Sequence, residues 1–156
     1  MIGHPQAGQA REARWREANE AYLAAHMQRL RLLIHRRVLW LRGQWRHEPL
    51  QNYQGLVVGE AEADRLLADE HPGAEARFWQ ENTEAAALCR SIAGLEDGLI
   101  SRSEALAETG VPPALDALVY LFGLTSLERD TVLLTLAPEL DPRFERLYAY
   151  VQDDMN

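Results

Sequence analysis

The groups that could do chemistry in this chain are five histidines, one cysteine, sixteen basic and twenty-four acidic side chains. All sixteen basic residues are arginine. A P-loop requires G-x-x-x-x-G-K-[ST], because its lysine reaches the β and γ phosphates while glycine amides cradle them, so this chain cannot build one. The same absence removes Schiff-base and Ser-Lys chemistry. His4, His26, His35, His47 and His71 form no H-x-x-x-H, H-E-x-x-H or Cys/His pairing with the spacing of tetrahedral metal ligands, and they read as scattered surface residues. Cys89 falls on an apolar helical face and reads as a small hydrophobe rather than a nucleophile. No G-x-S-x-G and no persuasive Ser/His/Asp trio occurs. The carboxylate pairs Glu96-Asp97 and Asp153-Asp154 fall where exposed turns or helix ends are expected. The expectation is therefore no catalytic, cofactor-binding or metal-binding residue, no cofactor, no small-molecule substrate and no enzymatic activity in this chain.

Arginine offers one further chemistry. Arg29, Arg31, Arg36, Arg37, Arg42 and Arg46 are interleaved with Trp40, Trp45 and two histidines, a mixture that could grip phosphates and stack bases. Nucleic acid is nevertheless disfavoured, because the chain carries a formal charge of −8 and these arginines lie on an amphipathic helix. A solvated or intramolecularly paired face, or a surface for a protein partner, is the expectation. The C-terminal pair of helices could be read as a DNA-binding helix-turn-helix, but Glu145, Asp153 and Asp154 beside Arg143 and Arg146 make its second helix a poor major-groove reader.

The elements that hold these residues read as helices throughout. Gln9 to Leu41 contains neither Gly nor Pro, and Leu23, Met27, Leu30, Ile34, Val38 and Leu41 recur at three- and four-residue spacing. Trp15, Ala18 and Tyr22 extend the stripe toward the N-terminus. Gly43 ends the pattern, Pro49 to Gly55 reads as a linker, and Leu56-Val57-Val58 as a buried extended turn. Gly59 caps an acidic helix that His71-Pro72-Gly73 terminates. Ala74 to Ala93 is predicted helical, stopping at Gly94. Ser101-x-x-Glu104 is a capping-box pattern for a short helix ending at Gly110. Pro112-Pro113 opens another helix, with Leu115, Leu118, Val119 and Phe122 facing inward and Gly123 closing it. Thr125-x-x-Glu128 is a second capping box, for a helix that Pro138 ends. Asp141-Pro142 then caps a last helix carrying Phe144, Leu147, Tyr148 and Val151 on one face. No segment sustains period-two alternation, so the fold class is all-α. The organisation expected is a long amphipathic helix over 1–48, short helices and linkers over 49–110, and a helix-turn-helix-like block over 111–156.

Apolar residues make up 47% and charged residues 26% of the chain, a globular composition. Residues 1–50 carry nine Arg against four acids, while 51–156 carry seven Arg against twenty. The lone cysteine suits a reducing compartment, no signal peptide opens the chain, and no run approaches the ~18 apolar residues of a membrane span. A cytoplasmic protein without membrane contact is expected.

The block Leu115 to Asp154 resembles a known family. Phe122-Gly-Leu-Thr-Ser-Leu-Glu-Arg-Asp, followed by Ala137-Pro-Glu-Leu-Asp-Pro-Arg-Phe-Glu-Arg-Leu-Tyr-Ala-Tyr-Val-Gln-Asp-Asp154, is similar to the N-terminal region of bacterial AAA+ ATPases with a winged-helix-like subdomain, of the type associated with contractile injection systems. Tyr53-Gln-Gly-Leu-Val-Val and Ala18-Asn-x-x-Tyr22-Leu extend the likeness upstream. The resemblance implies a truncated winged-helix subdomain, and a role in contacting substrate, a partner or a neighbouring subunit while an ATPase module, not encoded in these residues, does the work. A stand-alone adaptor acting on the ATPase or on injection-system components in trans is the alternative. The resemblance transfers no catalytic residue, because no matching position carries one. Self-association is also expected, through a stripe of Leu147, Tyr148 and Val151 left partly uncovered where the rest of the winged-helix unit is missing.

Overall fold

The structure, a computed structural model, describes residues 5–45 and 73–152, with side chains for 8–43 and 73–152. The readings for His4, for His47, for Pro49 through Pro72 with the acidic helix after Gly59, and for Asp153-Asp154 lie outside these residues. The fold is all-α. Among the described residues the helices are α1 (Pro5–Trp45), α2 (Ala74–Glu81), α3 (Thr83–Ala107), α4 (Ala114–Phe122), α5 (Ser126–Leu140) and α6 (Arg143–Gln152). No strand occurs among the described residues.

The chain divides into two compact units, one formed by Met1–Arg31 with Ala93–Ala137 and the other by Leu32–Ile92 with Pro138–Asn156. In the first, α1 and α3 run antiparallel: Trp15 reaches Val111, and Arg29 reaches Glu96. Tyr22, Ala25, Leu99 and Leu106 are buried together, with Trp15, Ala18 and Leu115 packed against them. Arg102 donates to the Ala21 carbonyl at 3.2 Å, and Asn19 accepts from the Ala114 amide at 2.8 Å, which fixes the start of α4 on α1. In the second unit, Ile34, Val38, Ala85, Ile92 and Phe144 are buried. There the Trp40 and Phe78 rings meet edge-on at 5.4 Å.

Several helix boundaries differ from the sequence reading. A break falls at Asn82 rather than at Gly94. Asn82 donates its amide to the Phe78 carbonyl and accepts the Ala85 amide on its side-chain oxygen at 3.0 Å, so one residue closes α2 and caps α3. Past that cap, α3 runs through Gly94, Gly98 and Ser101. Ile92, Leu99 and Leu106 are buried at seven-residue spacing. Burial on that scale outweighs the roughly 1 kcal/mol that each glycine costs a helix. Ser101 starts nothing; its hydroxyl donates back to the Asp97 carbonyl.

Pro138 does not end its helix either, since α5 continues to Leu140. The proline forgoes one amide, but buried Leu133 and Ala137 anchor the preceding turn. Gly43 likewise lies inside α1, which continues to Trp45. Its position is explained by a neighbour: a Cβ there would stand 3.3 Å from the Phe78 ring.

The second capping box is as predicted. Thr125 donates its amide to the Glu128 carboxylate at 2.7 Å, and the Glu128 amide donates to Thr125 Oγ1 at 3.3 Å. Asp141 also serves as a cap, with α6 beginning at Arg143: its carboxylate accepts the Arg143 amide at 3.1 Å and the Arg143 guanidinium at 2.8 Å. Asp141→Ala is expected to cost about 1 kcal/mol through this cap. A thermal midpoint unchanged by the substitution would remove the cap from the account.

Candidate protein-interaction site

The arginines of α1 fall mostly into intramolecular pairs. Arg29 donates to Glu96 at 2.7 Å and to Asp130 at 3.0 Å, while Arg129 reaches the other oxygen of Asp130 at 2.8 Å. Burial would raise the Asp130 carboxyl, but hydrogen bonds from Arg129 and Arg29 hold it below its ordinary range. Further along α1, Arg36 stacks 3.9 Å from the Trp79 ring centroid, Arg37 pairs with Glu75 at 3.2 Å, and Arg42 donates to the Tyr150 hydroxyl at 3.2 Å. Cys89 is half-buried and accepts from Arg36 at 3.8 Å.

His26 corrects the reading of scattered surface histidines, because it is only 2% exposed. It lies one helical turn from Tyr22, whose ring it meets edge-on at 4.8 Å. Neither of its ring nitrogens has a hydrogen-bond partner among the described residues. Burial, followed by the charges of Arg129 and Arg29, lowers its pKa from 6.5 to about 4. Beside it Tyr22 donates to Asp116 at 2.8 Å, and Ser103 donates to the other Asp116 oxygen. Burial and the Asp116 carboxylate both raise the Tyr22 pKa. These groups line a cavity of about 370 Å³. Its polar groups are arranged as a structural network rather than a nucleophile with an aligned base.

Two apolar surfaces of this unit remain open. The first is a ridge. Tyr120, Leu121 and Phe122 at the end of α4 and Leu127 at the start of α5 are between 71% and 87% exposed. Phe122 was expected to face inward. The α4 sequence Ala-Leu-Asp-Ala-Leu-Val-Tyr-Leu-Phe is apolar nearly all round, and only one side of a helix can be covered by α1 and α3. The ridge is held from both ends: Gly123, at φ 63°, lets the Leu124 amide return to the Val119 carbonyl at 2.9 Å, and the Thr125/Glu128 box starts the next helix at once.

The second surface is a groove of about 950 Å³ between the first part of α1 and the end of α3. Trp15, Ala18, Ala21 and Ala105 contribute its apolar surface, and Arg11, Arg14 and Arg102 stand at its rim. Trp15 is fixed there by donating to the Val111 carbonyl at 3.2 Å. Each rim arginine donates to a backbone carbonyl, of Thr109, Ala10 and Ala21 respectively, and none forms an ion pair among the described residues. Glu12, also at the groove, pairs with Arg16 at 2.6 Å. Neither surface was singled out in the sequence. The one available signal was a nine-residue helix with almost no polar side.

The stripe of Leu147, Tyr148 and Val151 on α6 is half-buried. Among the described residues, no group of three His, Cys, Asp or Glu could hold a metal ion, and no helix is long and apolar enough to cross a membrane.

Antiparallel helices followed by α5, a short turn and α6 define the class as a helical domain. The chain belongs to the winged helix domain family in its variant form, whose family model matches residues 9–156. Neither a curated protein nor a solved structure matches it.

Proposed function

We propose that this chain is a non-catalytic protein-contact domain of an ATP-driven remodelling machine of the AAA+ type linked to contractile injection systems. The observation that carries the contact role is the ridge of Tyr120, Leu121, Phe122 and Leu127, an apolar surface on a well-capped helical hairpin. Four large side chains at that exposure present on the order of 500 Å² of apolar area, toward the upper end for a monomer and characteristic of interaction sites. The resemblance of Leu115 to Asp154 to the ATPase family supports the machine. Membership of the winged helix family is compatible with it. The engagement of Arg29, Arg36, Arg37 and Arg42 in intramolecular contacts weighs against a nucleic-acid role.

The test begins with the gene's neighbourhood. An open reading frame with a lysine-bearing Walker motif, joined to this one or adjacent, is expected. That ATPase should co-purify with the chain when the two are co-expressed, and Leu121→Glu should abolish the association. The purified chain alone should not hydrolyse Mg-ATP. ATP turnover by the chain, or co-purification indifferent to Leu121→Glu, overturns the proposal.

A further inference from the structure

The ridge and the groove lie on the same unit, are made of different residues, and are opposite in shape and charge. The ridge is convex and has Glu128 beside Leu127, exposed and held ionised by the Thr125 amide and hydroxyl. The groove is concave and carries three arginines without carboxylate partners among the described residues. Ala18, Ala21 and Ala105 in its lining are small and leave room for an incoming side chain to approach both helices. Its volume of about 950 Å³ leaves room for several large side chains. A surface that fits a groove elsewhere on the same molecule makes a heterologous contact, which repeats head to tail.

We propose that the occupant of the groove is a second copy of this chain, whose Tyr120–Leu127 ridge seats between α1 and α3 with Glu128 meeting Arg11, Arg14 or Arg102. The contact deepens the protein-contact reading of the ridge and rests on it. Ridge and groove together bury on the order of 1,000 Å², at the lower limit of a specific interface, so the association is weak and concentration-dependent. It is also salt-sensitive, because exposed charges guide it.

Sedimentation velocity on the full chain tests this, with circular dichroism to establish that each variant stays helical. The wild type, 17.7 kDa as a monomer, is expected to gain average mass from roughly 10 μM to 1 mM, with part of that gain lost at high salt. Leu121→Glu removes the ridge and Ala105→Trp fills the groove; both positions are exposed, so the fold is retained. Each variant alone should stay monomeric. An equimolar mixture should recover dimers and nothing larger, since each variant keeps one intact half of the contact.

A wild type that is monomeric at every concentration overturns the self-docking. If its ATPase partner is still lost on Leu121→Glu, the contact reading survives that failure. Association abolished by Leu121→Glu but indifferent to Ala105→Trp also overturns it, because ridge then meets ridge. An equimolar mixture that stays monomeric does the same.

Discussion

Phe144→Ala is expected to lower the unfolding free energy by about 4 kcal/mol. Phe144 is 1% exposed and is among the largest fully buried side chains. It follows the Asp141-Pro142 turn, where its amide donates to the Asp141 carbonyl at 3.0 Å, and its ring sits 6.0 Å from that of Tyr148. Truncation leaves a cavity that helices fixed by caps cannot close, so the loss combines transfer and cavity terms. Leu140, four residues earlier and 51% exposed, supplies the control. Leu140→Ala removes a smaller, aliphatic group from partial contact with water and should cost under about 1 kcal/mol. Urea unfolding with an unchanged m-value reads both. Near-equal costs for the two variants would mean that burial at Phe144 is not what holds α6.

Helix content, caps and the inward Phe144 were legible because each is a local rule. Thr125 with Glu128, and Asp141 before Arg143, satisfy orphan amides within one turn, and the sequence carries everything they need. The family match over residues 9–156 agrees with the winged-helix reading made from Leu115 to Asp154. What was not legible depended on partners distant in sequence. Gly94 and Pro138 look like stops, and tertiary burial of Leu99, Leu106, Leu133 and Ala137 carries the helices past them. The break at Asn82 interrupts an apolar spacing that continues on both sides of it, so periodicity alone does not mark it. In α4 the periodicity could not say which face is covered, because nearly every face is apolar; Phe122 therefore went outward with Tyr120 and Leu121.

The division of the chain has the same origin. The helices α1, α3 and α5 each contribute residues to both compact units, so neither unit is a continuous stretch of sequence. No composition shift or linker marks such a boundary. The exposed ridge at the end of α4 is anchored on α1: Asn19 of α1 holds the Ala114 amide, and Tyr22 of α1 holds Asp116. The ridge is thus positioned by residues roughly a hundred positions away in the chain.

Stability is expected to fall by about 3 kcal/mol as pH drops from roughly 6.5 to 4, and His26 is the cause. In the unfolded chain its imidazole takes a proton near the ordinary value of 6.5; in the folded protein it resists until about 4. Between those limits the unfolded state binds more protons, so stability rises with pH across the window and is complete above it. The physical reason is that a charged imidazole there would be stripped of water and placed near Arg129 and Arg29. Carboxylates with lowered pKa, Asp130 among them, lose their contribution at still lower pH, which leaves the upper part of the window to His26. His26→Leu keeps an apolar side chain against Tyr22 and removes the titration. It should flatten the dependence between pH 6.5 and 4.5 while changing stability at pH 7.5 by no more than about 1 kcal/mol. Chemical unfolding at half-unit pH steps for both proteins makes the comparison. A slope that persists unchanged in His26→Leu would place the titrating group elsewhere and return His26 to an inert filler of the α1–α3 interface.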